Sequence, residues 1–211
     1  MKKIVSVILC LVMLLALTGC GSEQDAIVGT WEGSYDLSES LNEGMSSQDP
    51  ELGEYLRVSE FSLRYTMTFR EDGTYTIAGD RESLEAAIAV AKVEIEEGLI
   101  AYIEYILHAQ GIEMDAREFM EMAGLSVDAL LEEAFSESLQ EEIVASLAAN
   151  GNYSVKDGKL MLSQDLTTQP DEAVYELYSI EGDTLTIDKG TVETDDAMLD
   201  WIYPMVLVKA G

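Results

Sequence analysis

Two spacings of apolar residues alternate along this chain. Ile27, Gly29, Trp31, Gly33 and Tyr35 form one mostly apolar face, and Val28, Thr30, Glu32 and Ser34 between them form a mostly polar one. A period of two predicts a strand buried on one side. The next run is cleaner: Phe61, Leu63, Tyr65, Met67 and Phe69 alternate with Ser62, Arg64, Thr66, Thr68 and Arg70. Glu71-Asp72-Gly73 supplies turn chemistry, and Tyr75 and Ile77 continue the apolar face, so residues 61–79 read as an antiparallel hairpin. The polar connection 37–60, with Asp49-Pro50 inside it, is long enough to need a helix of its own, around 37–42 or 50–56, or to act as a lid.

From residue 81 the period changes. Leu84, Ile88, Ala91, Ile95, Leu99, Ile103 and Ile106 recur at three and four, one face of a long helix with Asp80 as N-cap and Gly111 as stop. Asp115 followed by Glu118 resembles a capping box for a short second helix bearing Phe119, Met120 and Met122, and these methionines with Met114 read as adaptable core packing. After Gly124 and Ser126, a third helix is predicted with a stripe of Leu130, Leu131, Ala134, Phe135, Leu139, Ile143 and Leu147.

Beyond Asn150-Gly151 the strand period returns. Tyr153 and Val155, the turn Lys156-Asp157-Gly158, then Leu160 and Leu162 make a second hairpin. Val174 to Ile180, Glu181-Gly182-Asp183, then Leu185 and Ile187 make a third, and a closing strand follows from about Ile202 to Lys209 with Pro204 at its irregular entry. Eight strands joined mostly as neighbouring hairpins predict a mainly β fold with an α insertion. The expected architecture is an up-and-down antiparallel barrel, residues 26–211, with a helical hairpin at 81–149 inserted between strands 3 and 4.

The first residues carry a different signal. Lys2 and Lys3 precede an apolar run from Ile4 to Leu17, the layout of a secretory signal peptide over residues 1–19. That run is shorter than the roughly 20 residues a membrane-spanning helix needs. Leu17-Thr18-Gly19-Cys20 resembles the lipobox of bacterial lipoproteins. The resemblance implies cleavage before Cys20, acylation of its thiol and a membrane-anchored protein on the extracytoplasmic face, with residues 20–25 as a flexible tether. Two acyl chains anchor stably where one does not. Cys10 would leave with the signal peptide and Cys20 would carry lipid, so no disulfide is expected.

Charge narrows the partners. The chain has 41 Asp and Glu against 12 Lys and Arg, a net charge of -29 at pH 7. Such a surface repels phosphates, which excludes nucleic acid as a partner, and it suits solubility or a basic protein partner. Disorder is excluded as well, because 47% of the residues are hydrophobic and they are patterned.

Catalytic chemistry is not predicted. His108 is the only histidine, placed at the end of the first long helix where a solvated cation is favoured. No Gly-x-Ser-x-Gly elbow and no phosphate-cradling glycine loop occurs. The groups Glu94, Glu96, Glu97 and Asp195, Asp196, Asp200 read as solvated faces. No enzyme activity, no metal and no cofactor is expected.

Gly29-Thr30-Trp31, then Phe69 to Tyr75, then Gly151-Asn152-Tyr153 with Lys156-Asp157-Gly158 resemble the lipocalin-like domains of bacterial surface lipoproteins. The chain departs from the lipocalin pattern in lacking the arginine that follows the last strand and packs over the tryptophan, and has Lys209 there. The resemblance implies a barrel that binds a small apolar or amphipathic ligand, with Trp31, Tyr35, Tyr65, Met67 and Phe69 pointing inward as candidate lining. An eight-stranded barrel is just wide enough to hold such a ligand or to be filled by its own side chains. The alternative is therefore a filled barrel that holds or inhibits a basic cell-envelope protein.

Overall fold

The computed structural model describes residues 23–192 and 202–211. Its elements run α1 (Glu23–Ile27), β1 (Gly29–Asp36), α2 (Ser38–Gln48), α3 (Leu52–Tyr55), β2 (Ser62–Phe69), β3 (Thr74–Gly79), α4 (Arg81–Ala109), α5 (Ala116–Met122), α6 (Val127–Ala134) and α7 (Glu137–Ser146). Then follow β4 (Ala149–Lys156), β5 (Lys159–Leu162), β6 (Glu176–Glu181), β7 (Thr184–Asp188) and β8 (Met205–Lys209). The eight strands pair in sequence order and close into an antiparallel barrel. Closure gives each of the eight described strands a neighbour on both sides, which protects the edges that an open sheet would expose.

Turn chemistry sets the registers. Lys156 pairs with Lys159, so Asp157 and Gly158 form a two-residue turn at φ 54° and 73°. Both central residues of that turn need the left-handed region, which Asp and Gly reach most cheaply. Glu181 pairs with Thr184 across Gly182-Asp183, and Leu185 with Leu207 carries the sheet on to the last strand. The third hairpin begins at Glu176 rather than Val174, which is exposed.

The chain divides into two compact units. The first contains the described residues of 1–31, 67–76 and 149–211, with a core of Ile27, Trp31, Met67, Phe69, Leu160, Leu185, Ile187 and Leu207. Here α1 is an addition to the expected flexible tether: Glu23, Gln24 and Asp25 are helical. The cause is local, since Ile27 is fully buried, Val28 N–H donates to the Gln24 carbonyl, and Trp31 Nε1 donates to the Ile27 carbonyl at 2.8 Å.

The second unit, residues 32–66 and 77–148, has its own core of Leu56, Val58, Phe61, Leu63, Leu84, Ile88, Ala91, Ile95 and Leu131. Asp80 caps α4 by accepting from Ser83 N–H at 3.2 Å, and it pairs with Arg64 at 3.0 Å. The connection 37–60 contains both α2 and α3, and Asn42 ties it down through both amide atoms, to Val58 N–H and to the Val58 carbonyl.

Between β3 and β4 there are four helices instead of a hairpin. The expected third helix is broken at Phe135 (φ -108°, ψ 43°) and Ser136 (φ -58°, ψ 154°) into α6 and α7. Phe135 leaves the helix with its ring 6.5 Å from that of Phe61, and Gln140 Nε2 donates to its carbonyl. The break rotates the predicted stripe: Leu131 is buried, whereas Leu130 is 52% exposed and Leu139 is also exposed.

Candidate functional site

The residues predicted to face the barrel interior do share the alternate positions of β1 and β2. In the first unit, Trp31 is 0% exposed, and Met67 and Phe69 are each 1% exposed. Phe69 sits 4.9 Å from Tyr153, edge to face, and 6.4 Å from Tyr75. In the second unit, Tyr65 is 2% exposed and stacks on the half-buried Tyr35 at 4.4 Å between ring centres. A side chain that lines a ligand cavity presents surface to that cavity, so exposures of 0–2% mean contact with protein on all sides. Burial holds the Tyr65 phenol above its ordinary pKa.

The hydroxyl tips are satisfied internally. Tyr75 Oη donates to the Ser163 carbonyl at 2.8 Å, and Tyr153 Oη donates to the Arg70 carbonyl at 2.8 Å. Tyr178 meets the Glu23 carboxylate of α1, and burial together with that charge pushes its pKa up to about 12. No buried side-chain polar atom among the described residues is left without a partner.

One inward group was missed by the sequence reading. Glu176 opens β6 at 8% exposure, and its carboxylate accepts a hydrogen bond from the Tyr203 hydroxyl. Burial raises the pKa of Glu176, while the Tyr203 bond lowers it in part; Tyr203 is raised by its own burial and by the carboxylate. The signal was present in the alternation. Tyr178 and Ile180 pair with Ile187 and Leu185, both fully buried, and Glu176 shares their parity.

The remaining predicted positions are scattered. His108 is exposed in the last turn of α4. Glu94 binds Ser59 N–H at 2.9 Å and Glu96 pairs with Arg117 at 2.8 Å, so part of that acidic face has structural bonds. Met120 is buried as core, while Met122 is exposed. Cys20, Asp195, Asp196 and Asp200 lie outside the described residues. Among the described residues no three His, Cys, Asp or Glu side chains come together as a metal site, and no helix is long and apolar enough to cross a membrane.

The outer surface of the helices is chemically one-sided. Residues 81–149 carry sixteen carboxylates against Arg81, Lys92 and Arg117. Arg81 is engaged by Glu85, Glu137 and Glu141, and Arg117 by Glu96. Exposed among these charges are Val90, Val93, Met122, Leu125, Leu130 and Leu139.

These features define a class: a closed eight-stranded antiparallel barrel with several helices, in which residues 81–149 are strongly acidic. No protein-family model, curated protein or solved structure matches the chain.

Proposed function

We propose that this is a lipid-anchored, non-catalytic protein of the cell envelope, lipocalin-like in build, whose acidic helical insertion holds a basic protein partner. The observation that carries this reading is the charge of residues 81–149: two of only three cations are already neutralised by carboxylates of the same segment, and the rest of the carboxylates remain to attract a partner. The apolar side chains exposed among them offer the partner contact area that salt does not screen.

The packing inside the barrel supports recognition at the outer surface rather than inside. Trp31, Met67 and Phe69 have no surface to offer an apolar ligand without being displaced. Lys209, which lies over Trp31 as the lipocalin arginine would, supports the lipocalin-like comparison. The anchor rests on the Leu17-Thr18-Gly19-Cys20 resemblance.

Two experiments test the two parts. Metabolic labelling with a fatty-acid probe in a bacterial host is expected to label the wild type and to leave Cys20→Ala unlabelled; equal labelling overturns the anchor. For the partner, the purified chain is expected to capture a basic envelope protein that rebinds in pure form and is released as salt rises. Capture that salt leaves unchanged, or none, overturns the acidic-surface reading.

A further inference from the structure

The first described residues are fastened to the barrel. Ile27 of α1 is fully buried, Val28 N–H donates to the Gln24 carbonyl at 3.3 Å, and Trp31 Nε1 donates to the Ile27 carbonyl at 2.8 Å. α1 packs on β4, where the Gln24 side chain reaches the Tyr153 hydroxyl. Gln24 also lies beside the β2–β3 turn, since a Cβ on Gly73 would stand 3.9 Å from its Nε2. Glu23 meets Tyr178 of β6. α1 therefore touches the β2–β3, β4–β5 and β6–β7 hairpins, all through residues of the first unit.

These contacts gather at one end of the barrel. Because the eight strands alternate in direction, the start of β1, the turns at 71–73, 157–158 and 182–183, and the end of β8 share that end. Backbone bonds lace it together: Tyr153 N–H donates to the Gly73 carbonyl at 2.8 Å, Tyr178 N–H to Gly158 at 3.0 Å, and Lys209 N–H to Asp183 at 2.8 Å.

The distance from this end to Cys20 is short. Glu23, the first residue of α1, follows Cys20 by three positions, and three extended residues span at most about 11 Å. A long flexible tether would let a barrel tumble above its anchor, whereas a fold that starts this close to the anchor fixes which side faces it. We infer that α1 is an orienting clamp, and that the barrel end bearing the turns 71–73, 157–158 and 182–183 is the surface laid against phospholipid head groups. The inference rests on the acylation of Cys20 proposed above. Charge supports the choice of surface. The second unit carries 25 carboxylates against five Lys and Arg, which anionic head groups repel. At the turn end Arg70, Lys156, Lys159 and Lys209 stand against seven carboxylates, a far more even balance.

The test uses the lipoprotein purified from a bacterial host and reconstituted in phosphatidylcholine–phosphatidylglycerol vesicles that contain phosphatidylcholine spin-labelled on its head group. Glu71, Asp183 or Asn150 is replaced by p-azidophenylalanine and coupled to a small fluorophore, which the head-group label quenches only at short range. A circular-dichroism melt of each variant confirms its fold. Quenching is expected to be at least about twofold stronger at Glu71 and Asp183 than at Asn150, which lies six residues before Lys156 on β4 and so about 20 Å along the strand from this end. An insertion of about ten Gly and Ser residues after Gly21 is expected to erase the difference. Mass spectrometry of the same preparation separates the two levels of the argument: a Cys20 peptide without acyl mass overturns the anchor and the orientation with it. With the acyl mass present, equal quenching at the three positions, or stronger quenching at Asn150, overturns the orientation alone, and a difference that survives the insertion overturns the clamp.

Discussion

The Lys209 ammonium stands 5.3 Å from the centre of the Trp31 ring, at the seam where the last strand meets the first. Ala210 N–H donates to the Thr30 carbonyl at 2.9 Å beside it, and Trp31 Nε1 is bonded to the Ile27 carbonyl at 2.8 Å. One side chain thus covers the fully buried Trp31 ring while the backbone next to it closes the barrel.

Removing that cover has a calculable consequence. Lys209→Ala loses a cation–π contact and the packing of the lysine methylenes, and is expected to lower stability by about 1 kcal/mol, with Lys209→Arg near wild type. Urea denaturation of the three proteins measures it, and equal midpoints for wild type and Lys209→Ala would mean that the contact carries no stability.

A filled interior and a ligand cavity respond differently to truncation. Phe69, packed against Tyr75 and Tyr153, is expected to cost about 3–5 kcal/mol when replaced by Ala, the range for a large aromatic in a close-packed core. A loss below about 1 kcal/mol, the behaviour of a cavity wall that exchanges one space for another, would favour a ligand inside the barrel.

Glu176 makes stability depend on pH. Burial raises its pKa in the folded chain above the unfolded value, so the folded state holds the proton more tightly. Stability is then greatest below the ordinary glutamate range and falls as pH rises from that range through the raised pKa, because the unfolded chain ionises first. Glu176→Gln removes this dependence while keeping an acceptor for Tyr203. Its melting temperature is expected to exceed that of wild type at pH 7 and to converge with it near pH 4; a wild-type advantage at pH 7 would show the carboxylate to be stabilising there.

Gly98→Ala sets two effects against each other. Alanine favours the helix by about 1 kcal/mol, whereas its Cβ meets the Tyr55 backbone and forces α3 away, costing about 1–3 kcal/mol. Net destabilisation is expected, together with altered ring resonances of Tyr102 and Tyr105, whose ring centres lie 5.5 and 5.6 Å from that of Tyr55. A variant more stable than wild type, with those resonances unmoved, would mean that α3 does not need the glycine.

Much of the fold was legible from residue order because its elements are specified locally. Period two over Phe61 to Phe69, the Asp157-Gly158 turn, and Asp80 and Asp115 as N-caps act through neighbours a few residues away, and each appears where expected. The pairings β2–β3, β4–β5 and β6–β7 follow, since their short turns leave each strand little choice but its neighbour; the other neighbours are joined by longer connections and meet only in the closed barrel. The partners of single side chains were decided only in three dimensions. Whether Trp31 and Phe69 line a space or fill it depends on volumes brought together from distant strands; Phe135 leaves its helix beside Phe61; Glu176 is an ordinary glutamate until β6 turns it inward; and Tyr55 joins Tyr102 and Tyr105 because Gly98 has no side chain. Spacing along the chain determined which residues share a face, and packing determined what each face meets.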